Sequence, residues 1–194
     1  MILYDKIGII LLAAGTSTRM GNINKLTMPF AGKPLIYHSA YALSTAHVGS
    51  LHLITGHQAD DVSSALLPLA PHIIHNDHHH LGMGHSIATA VTALRPHYDH
   101  LMIALGDTPH ITDTHVRKLA ISHLANPAPR SAITRPLFGR DYGHPVIWGA
   151  NYFNQLCALS GDKGAQHLIN PQKSTIVFFE ETQPAKDYDC ADDF

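Results

Sequence analysis

Cysteine is scarce in this sequence. The two cysteines, Cys157 and Cys190, lie far apart and form no CxxC pair. Such an arrangement excludes a disulfide framework and a four-cysteine zinc site. It fits a reducing compartment, and we expect the protein to be cytoplasmic.

Charged residues and long apolar runs are also few. Charged side chains make up 14% of the chain, with 13 basic and 15 acidic residues and a formal net charge of −2. This composition argues against a disordered chain and against a nucleic-acid partner. The longest apolar run, residues 7–14 interrupted by Gly8, falls far short of the roughly 20 residues that span a bilayer. We therefore expect no membrane partner.

What the chain does contain is enough apolar sequence for one core. Apolar residues account for 45% of 194 residues, which predicts a single domain over 1–194. Strand-length apolar runs alternate with segments of helical period, a pattern typical of an α/β domain around a mainly parallel sheet. The predicted strands are 7–12, 50–55, 72–75, 101–105, 131–134, 144–148 and 174–179. The predicted helices are 34–46, 58–67, 86–94, 113–124 (after a cap at Thr112 or Asp113), 151–159 and 163–169.

The loop after the first predicted strand is rich in glycine and carries two cations. Its glycines, Gly15 and Gly21, are six residues apart, so it is not the dinucleotide fingerprint G-x-G-x-x-G. It is not a P-loop either, because Gly21 is followed by asparagine and isoleucine. Arg19 and Lys25 belong to this region, and Asp107 directly follows the predicted strand 101–105.

Ligands of open α/β sheets bind beyond the carboxyl ends of the strands, where these three side chains are expected. Two cations and a carboxylate suit a phosphate chain bound beside Mg²⁺. The alternative is that Arg19 and Lys25 are solvated loop cations and that Asp107 is a turn residue.

The motifs, taken in order, resemble those of the MobA-like nucleotidyltransferases, and within them the molybdenum cofactor cytidylyltransferases. The first is the loop itself, which continues through Gly-Lys-Pro-Leu35. Together the segments of the chain that carry the resemblance are 12–15, 19–21, 25–35, 55–58, 75–77, 82–86, 105–109, 143–146, 161–165 and 187–193. The resemblance implies a Rossmann-like three-layer sandwich of the nucleotide-diphospho-sugar transferase type.

The resemblance also implies residue roles. Arg19, Lys25 and Asp107 would be catalytic, with Lys25 at the α-phosphate and Asp107 on Mg²⁺. The acidic tail would complete the metal site through Asp189, with Asp187 as the alternative. Gly143, His144 and Pro145 would face the acceptor substrate. The residues that would bind nucleotide are Leu12, Ala13, Ala14, Gly15, Lys25, Thr55, Gly56, His57, Asn76, Gly82, Gly84, Ser86 and Asp107.

The reaction so implied is Mg²⁺-dependent transfer of CMP from CTP to the terminal phosphate of the molybdenum-bearing pterin, with release of pyrophosphate. In this family the sequence Ala13-Ala14-Gly15 accompanies cytidine nucleotides. Two related readings remain open: a guanylyltransferase of the same cofactor, and a cytidylyltransferase for another phosphorylated acceptor. A molybdoenzyme or its chaperone would be a possible protein partner.

Histidine supplies an alternative from another class. The chain has 17 histidines, and six of them crowd between His72 and His85. Imidazole binds Zn²⁺, Ni²⁺ and Cu²⁺, so a histidine-rich metal-binding protein is the competing hypothesis. The run His78-His79-His80 lacks helical spacing, which disfavours a dedicated site.

Overall fold

The fold is built on one eight-stranded sheet. A computed structural model describes residues 7–15, 24–170 and 174–182. The strands of the main sheet are β1 (Ile7–Ala13), β4 (Ser50–Thr55), β5 (His72–His75), β6 (His100–Leu105), β7 (Ile133–Phe138), β8 (Asp141–Tyr142), β9 (Val146–Gly149) and β10 (Thr175–Phe179). A separate two-stranded hairpin is formed by β2 (Pro29–Phe30) and β3 (Lys33–Pro34).

Within the described residues, five α-helices connect these strands. They are α1 (Leu35–Thr45), α2 (Ala59–Ala65), α3 (Met83–Leu94), α4 (Asp113–Leu124) and α5 (Phe153–Cys157). Single 3-10 turns at Lys25–Thr27 and Ala165–Leu168 lie beside the carboxyl edge of the sheet described below. Among the described residues, no helix is long and apolar enough to cross a membrane.

The strand order in the sheet is β10-β7-β9-β6-β1-β4-β5, with β8 paired to β7. Strands β1, β4, β5 and β6 pair in parallel, as do β7 and β10. Only β9 and β8 run against their neighbours. The expected α/β class with a mainly parallel sheet is therefore confirmed. Because β9 is reversed, its first residue lies at the same edge as the last residues of β1 and β6.

Helices cover both faces of the sheet, and β1 shows why. Ile7, Ile9 and Leu11 pack into the core under α1, α2 and α4, whereas Ile10 points into the core under α3 and α5. A strand with both faces buried must be apolar at every position, which explains its unbroken run. The three layers of the predicted sandwich follow from this packing.

Local sequence signals account for several boundaries. Pro34 is the N-cap of α1, where its missing N–H costs no hydrogen bond. Thr112 caps α4: its hydroxyl accepts from the backbone N–H of His115, and the Thr112 N–H donates to Nδ1 of His115. This reciprocal pair satisfies two donors that a helix start would otherwise leave unpaired.

The structure corrects some predicted bounds. The strand expected at 131–134 is β7, which begins at Ile133 and runs on through Pro136 to Phe138. Pro136 is tolerated because the pairing of β7 with β9 ends at Thr134. Helix α3 begins at Met83 rather than 86, and the helix expected at 163–169 is the 3-10 turn Ala165–Leu168. The hairpins β2–β3 and β7–β8 were not predicted.

Candidate active site

The candidate site lies at the carboxyl edge of the parallel strands. Ala14 and Gly15 follow β1, Gly56 and His57 follow β4, Asn76 follows β5, and Asp107 follows β6 by two residues. The reversed strand β9 brings Gly143, His144 and Pro145 to this edge from the other direction. The topology thus gathers most of the predicted site residues along one edge. Arg19, Asp187 and Asp189 lie outside the described residues.

Lys25 and Asp107 meet directly. Lys25 Nζ donates to Asp107 Oδ2 at 2.6 Å, and each side chain is 16% exposed. Asn24 holds Lys25 in place, because its side-chain oxygen accepts from the N–H of Leu26 and starts the 3-10 turn. A mostly buried carboxylate requires a positive partner, and the lysine supplies one. The predicted pair of cation and carboxylate is therefore a contact in the fold.

The backbone after β1 is open. A Cβ built on Gly15 would meet no other described atom within 4 Å, so packing inside the chain does not require glycine there. Gly56 differs, because its Cβ would lie 2.4 Å from Cβ of His79 and 2.9 Å from that of Ala14. Gly56 thus lets the loop after β5 pack on the ends of β1 and β4.

Asn76 and Ser86 are bonded to each other. The Asn76 amide donates to Ser86 Oγ at 3.0 Å, and Asn76 Oδ1 accepts from the N–H of His78. Both residues are buried. Thr55 Oγ1 likewise lies 3.1 Å from Nδ1 of His75. These side chains shape the loop over α3, and their assignment to nucleotide binding stays a prediction.

Gly82 and Gly84 pack against the segment before the Ala165 turn. Gly82 has φ +99°, and a Cβ there would lie 2.5 Å from the carbonyl of Gly161. The N–H of Gly84 donates to that same carbonyl at 2.8 Å. These two glycines join the start of α3 to residues 160–163.

The surroundings of His144 favour its neutral form. Burial lowers its pKa, and the positive charge of Arg135 acts in the same direction. A contact between Nδ1 and the carbonyl of Ile103, at 3.3 Å, and the charge of Asp107 oppose this effect. The bond between His144 and Pro145 is cis. Gly143, His144 and Pro145 remain the predicted acceptor segment.

A cavity of about 300 Å³ extends from the candidate site between α3 and the strands β7 to β9. Leu12 and Thr108 line the end beside Asp107, and Trp148 and His144 line its wall. Arg135, a residue that sequence reasoning missed, also lines it. The sequence signal for Arg135 is its position two residues from both Ile133 and Leu137, which places the three side chains on one face of β7. This signal was missed because the strand was expected to end at Thr134.

The histidine cluster does not assemble into a metal site. Ring centroids of His78 and His85 lie 5.7 Å apart, and those of His57 and His79 lie 6.1 Å apart. Within residues 7–15, 24–170 and 174–182, no three His, Cys, Asp or Glu side chains are placed to hold an ion. The histidine-rich metal-binding hypothesis therefore has no geometric support in the described part of the chain.

Curated proteins with similar sequences share part of this chain. The bifunctional protein GlmU of Allorhizobium ampelinum is 37% identical over 108 residues, which are 53% of this chain and 23% of GlmU. GlmU of Shouchella clausii is 31% identical over 126 residues, 64% of this chain and 27% of that protein. The chain thus spans about a quarter of the length of these relatives.

Solved structures match the whole fold. A nucleotidyl transferase from Methanothermobacter thermautotrophicus has a TM-score of 0.80 at 22% identity, covering 97% of this chain and 94% of that one. A homologue of Mycobacterium tuberculosis Rv0371c from Mycobacterium sp. strain JC1 has a TM-score of 0.79 at 25% identity, with 97% and 92% covered. The family model described as the MobA-like NTP transferase domain matches residues 9–176. This protein is a member of the MobA-like NTP transferase family.

Proposed function

We propose that this protein is a nucleotidyltransferase that moves CMP from CTP to a phosphate group of its acceptor, with the terminal phosphate of the molybdenum-bearing pterin as the favoured acceptor. The observation that carries the proposal is the contact between Lys25 and Asp107 at the carboxyl edge of the sheet. An oxygen of the acceptor phosphate attacks the α-phosphorus of CTP. The bond from that phosphorus to the bridging oxygen of the β-phosphate breaks, and pyrophosphate leaves with the electron pair.

A divalent cation suits this site. Asp107 offers a hard carboxylate oxygen, and Mg²⁺ commonly takes one or two protein carboxylates and completes its shell with phosphates and water. A protein of this fold, Rv0371c, is described in complex with manganese. Asp107 would hold the ion, with Asp189 of the tail as its proposed second ligand. The bound ion would neutralise charge on the triphosphate.

The side chains of the protein contribute by neutralising charge and by positioning the reactants. When a cation binds Asp107, the Lys25 ammonium no longer has to balance that carboxylate. It can then turn to the α-phosphate, where negative charge builds up during the attack. The acceptor phosphate is already an anion near neutral pH, so no general base is needed, and catalysis depends on positioning and neutralisation. Arg19 is proposed as the second phosphate-binding cation.

The choice of CTP as the nucleotide and of the pterin as the acceptor is based on the sequence motifs. Ala13-Ala14-Gly15 favours CTP over GTP. A structure described as CMP:2-keto-3-deoxy-manno-octonic acid synthetase with CTP shares the fold, with a TM-score of 0.66. The structure described as 4-diphosphocytidyl-2C-methyl-D-erythritol synthase shares it too, at 0.72. That likeness keeps a different phosphorylated acceptor as the second candidate.

The test is pyrophosphate release from CTP or GTP, measured with Mg²⁺ and each acceptor, in the wild-type protein and in Asp107→Asn. We expect activity with CTP, and a loss of roughly 10²–10³ in rate on substitution, the size seen when a charge-stabilising group is removed. Asp61→Asn removes an exposed carboxylate from the start of α2 and serves as the matched control. Wild-type rates in folded Asp107→Asn would contradict the assigned role.

A further inference from the structure

Arg135 is the buried cation of the cavity. Only 8% of the residue is exposed, although it carries a charge that does not titrate near neutral pH. Buried arginines are ordinarily paired with carboxylates. In the described part of the chain, the Arg135 Nε is buried and has no hydrogen-bond partner. An unsatisfied buried donor is costly, so it calls for an explanation.

The surroundings of Arg135 are suited to an anion. None of the described residues that line the cavity is acidic. The guanidinium lies over the Tyr142 ring, with Cζ 3.3 Å from the ring centroid. A cation–π contact of this kind uses none of the guanidinium N–H groups, which leaves them available for a forked contact with an oxyanion. The described part of the fold therefore places this cation against an aromatic ring and supplies no carboxylate to the cavity around it.

The cavity also connects Arg135 to the reacting edge. Thr134 pairs with Ile147 of β9, and the neighbouring Val146 pairs with Ile103 of β6, so Arg135 lies about level with Ile103, two residues before the end of β6. His144 lies between Arg135 and Asp107 electrostatically: the charge of the arginine lowers its pKa and the charge of the aspartate raises it. Apolar and aromatic side chains, including Ile103, Val146 and Trp148, line much of the cavity. Such a wall suits a flat organic body that carries a negative group.

We propose that Arg135 binds an oxyanion of the acceptor substrate, a phosphate or a carboxylate carried on a flat apolar body that fills the cavity between Met83, Trp148 and Tyr142. This inference rests on the proposed transferase function, because it assigns the acceptor side of that site. Arg135 is then a specificity-determining residue: acceptors without a negative group leave the buried guanidinium unpaired and are rejected. The nucleotide, by contrast, is bound by the loops after β1, β4 and β5.

The chain provides its own probe of the cavity. Trp148 is the single tryptophan of the sequence, and it lines the cavity wall. Its fluorescence can be followed during titration with phenyl phosphate, benzoate and phenol, which share a ring and differ in charge. We expect both anions to change the signal and phenol to bind at least tenfold more weakly. The stronger of the two anions identifies phosphate or carboxylate as the preferred group.

Variants assign the binding to Arg135. We expect Arg135→Met to weaken the binding of phenyl phosphate at least tenfold and to leave the binding of phenol unchanged. Arg135→Lys should bind phenyl phosphate with an affinity between those of the wild-type protein and Arg135→Met, because lysine cannot form a forked contact. Arg95→Met removes an exposed arginine at the far end of α3 and should not alter binding. Equal binding of phenol and phenyl phosphate by the wild-type protein would overturn the inference, even if a variant failed to fold.

Titration of CTP with Mg²⁺ separates this inference from the transferase proposal. Arg135→Met is expected to bind Mg·CTP as the wild-type protein does, since Arg135 belongs to the acceptor side. If Mg·CTP does not bind the wild-type protein, the transferase proposal fails while the oxyanion test still stands. If Arg135→Met no longer binds Mg·CTP but still binds phenyl phosphate like the wild-type protein, Arg135 belongs to the nucleotide site and the inference is wrong.

Discussion

Lowering the pH should destabilise this protein through one buried histidine. His123, near the end of α4, is fully buried between β6 and β7. Its Nδ1 lies 2.9 Å from Thr134 Oγ1, and its Nε2 lies 3.0 Å from His100 Nδ1. Burial, reinforced by the neighbouring His100, lowers the pKa of His123 from 6.5 to about 3. The imidazole is therefore neutral in the folded protein at any pH near neutrality.

The sign and size of the effect follow from these two pKa values. Between pH 6.5 and pH 3 the unfolded chain binds a proton at this position and the folded protein does not, so the free energy of unfolding falls as the pH falls. The contribution is fully present above pH 6.5. At 1.36 kcal/mol per pKa unit, about 2 kcal/mol is lost by pH 5 and about 5 kcal/mol by pH values below 3.

The measurement is urea unfolding of the wild-type protein and of His123→Gln at pH 8 and pH 5. Other histidines with lowered pKa, such as His52 at about 4, make the wild-type profile steeper still, so the comparison between proteins isolates His123. The glutamine variant is expected to lose about 2 kcal/mol less between the two pH values. His167→Gln changes an exposed histidine and should keep the wild-type slope. Parallel profiles for His123→Gln and the wild-type protein would refute the reasoning.

Two further predictions concern the backbone around the site. Gly82→Ala should reduce the free energy of unfolding by at least about 1–3 kcal/mol, because alanine is strained at φ +99° and its Cβ would clash with Gly161; an unchanged urea midpoint would contradict this. Thr112→Ala removes the hydroxyl that caps α4 and should cost about 0.5–2 kcal/mol. Thr112→Ser keeps that hydroxyl and should behave like the wild-type protein in the same unfolding assay.

Local signals made part of the fold predictable. The bounds of β4 and β5 agree with the predicted ones to the residue, because apolar runs end there at polar or turn-forming residues. The start of α4 was predicted because two capping residues, Thr112 and Asp113, precede the helical pattern, and the structure identifies Thr112 as the cap. The exact course of β7 was missed because tolerance of Pro136 depends on where β9 stops pairing, which the sequence of β7 does not contain.

The candidate site, like the fold, was predictable from the sequence only in part. Lys25 and Asp107 were predicted to share a site, since both belong to the carboxyl edge, although 82 positions separate them. Arg135 could not be assigned from sequence, because its significance depends on burial, on the Tyr142 ring from the β8 strand and on a cavity whose described lining residues include no acidic side chain. Those properties arise only when distant segments pack together.

The reversed strand β9 also sets the order in which the molecule can assemble during synthesis. Strands β1, β4, β5 and β6 are neighbours in the sheet and can pair as the ribosome delivers them. The β7–β8 hairpin is made next, yet it reaches β6 only through β9, which is made last of the three. Until residue 149 has emerged, the apolar edge of β6 stays open to pairing with other chains. A nascent chain halted before that residue would hold the loops that follow β1, β4 and β5 and lack the wall of the cavity that β9 provides.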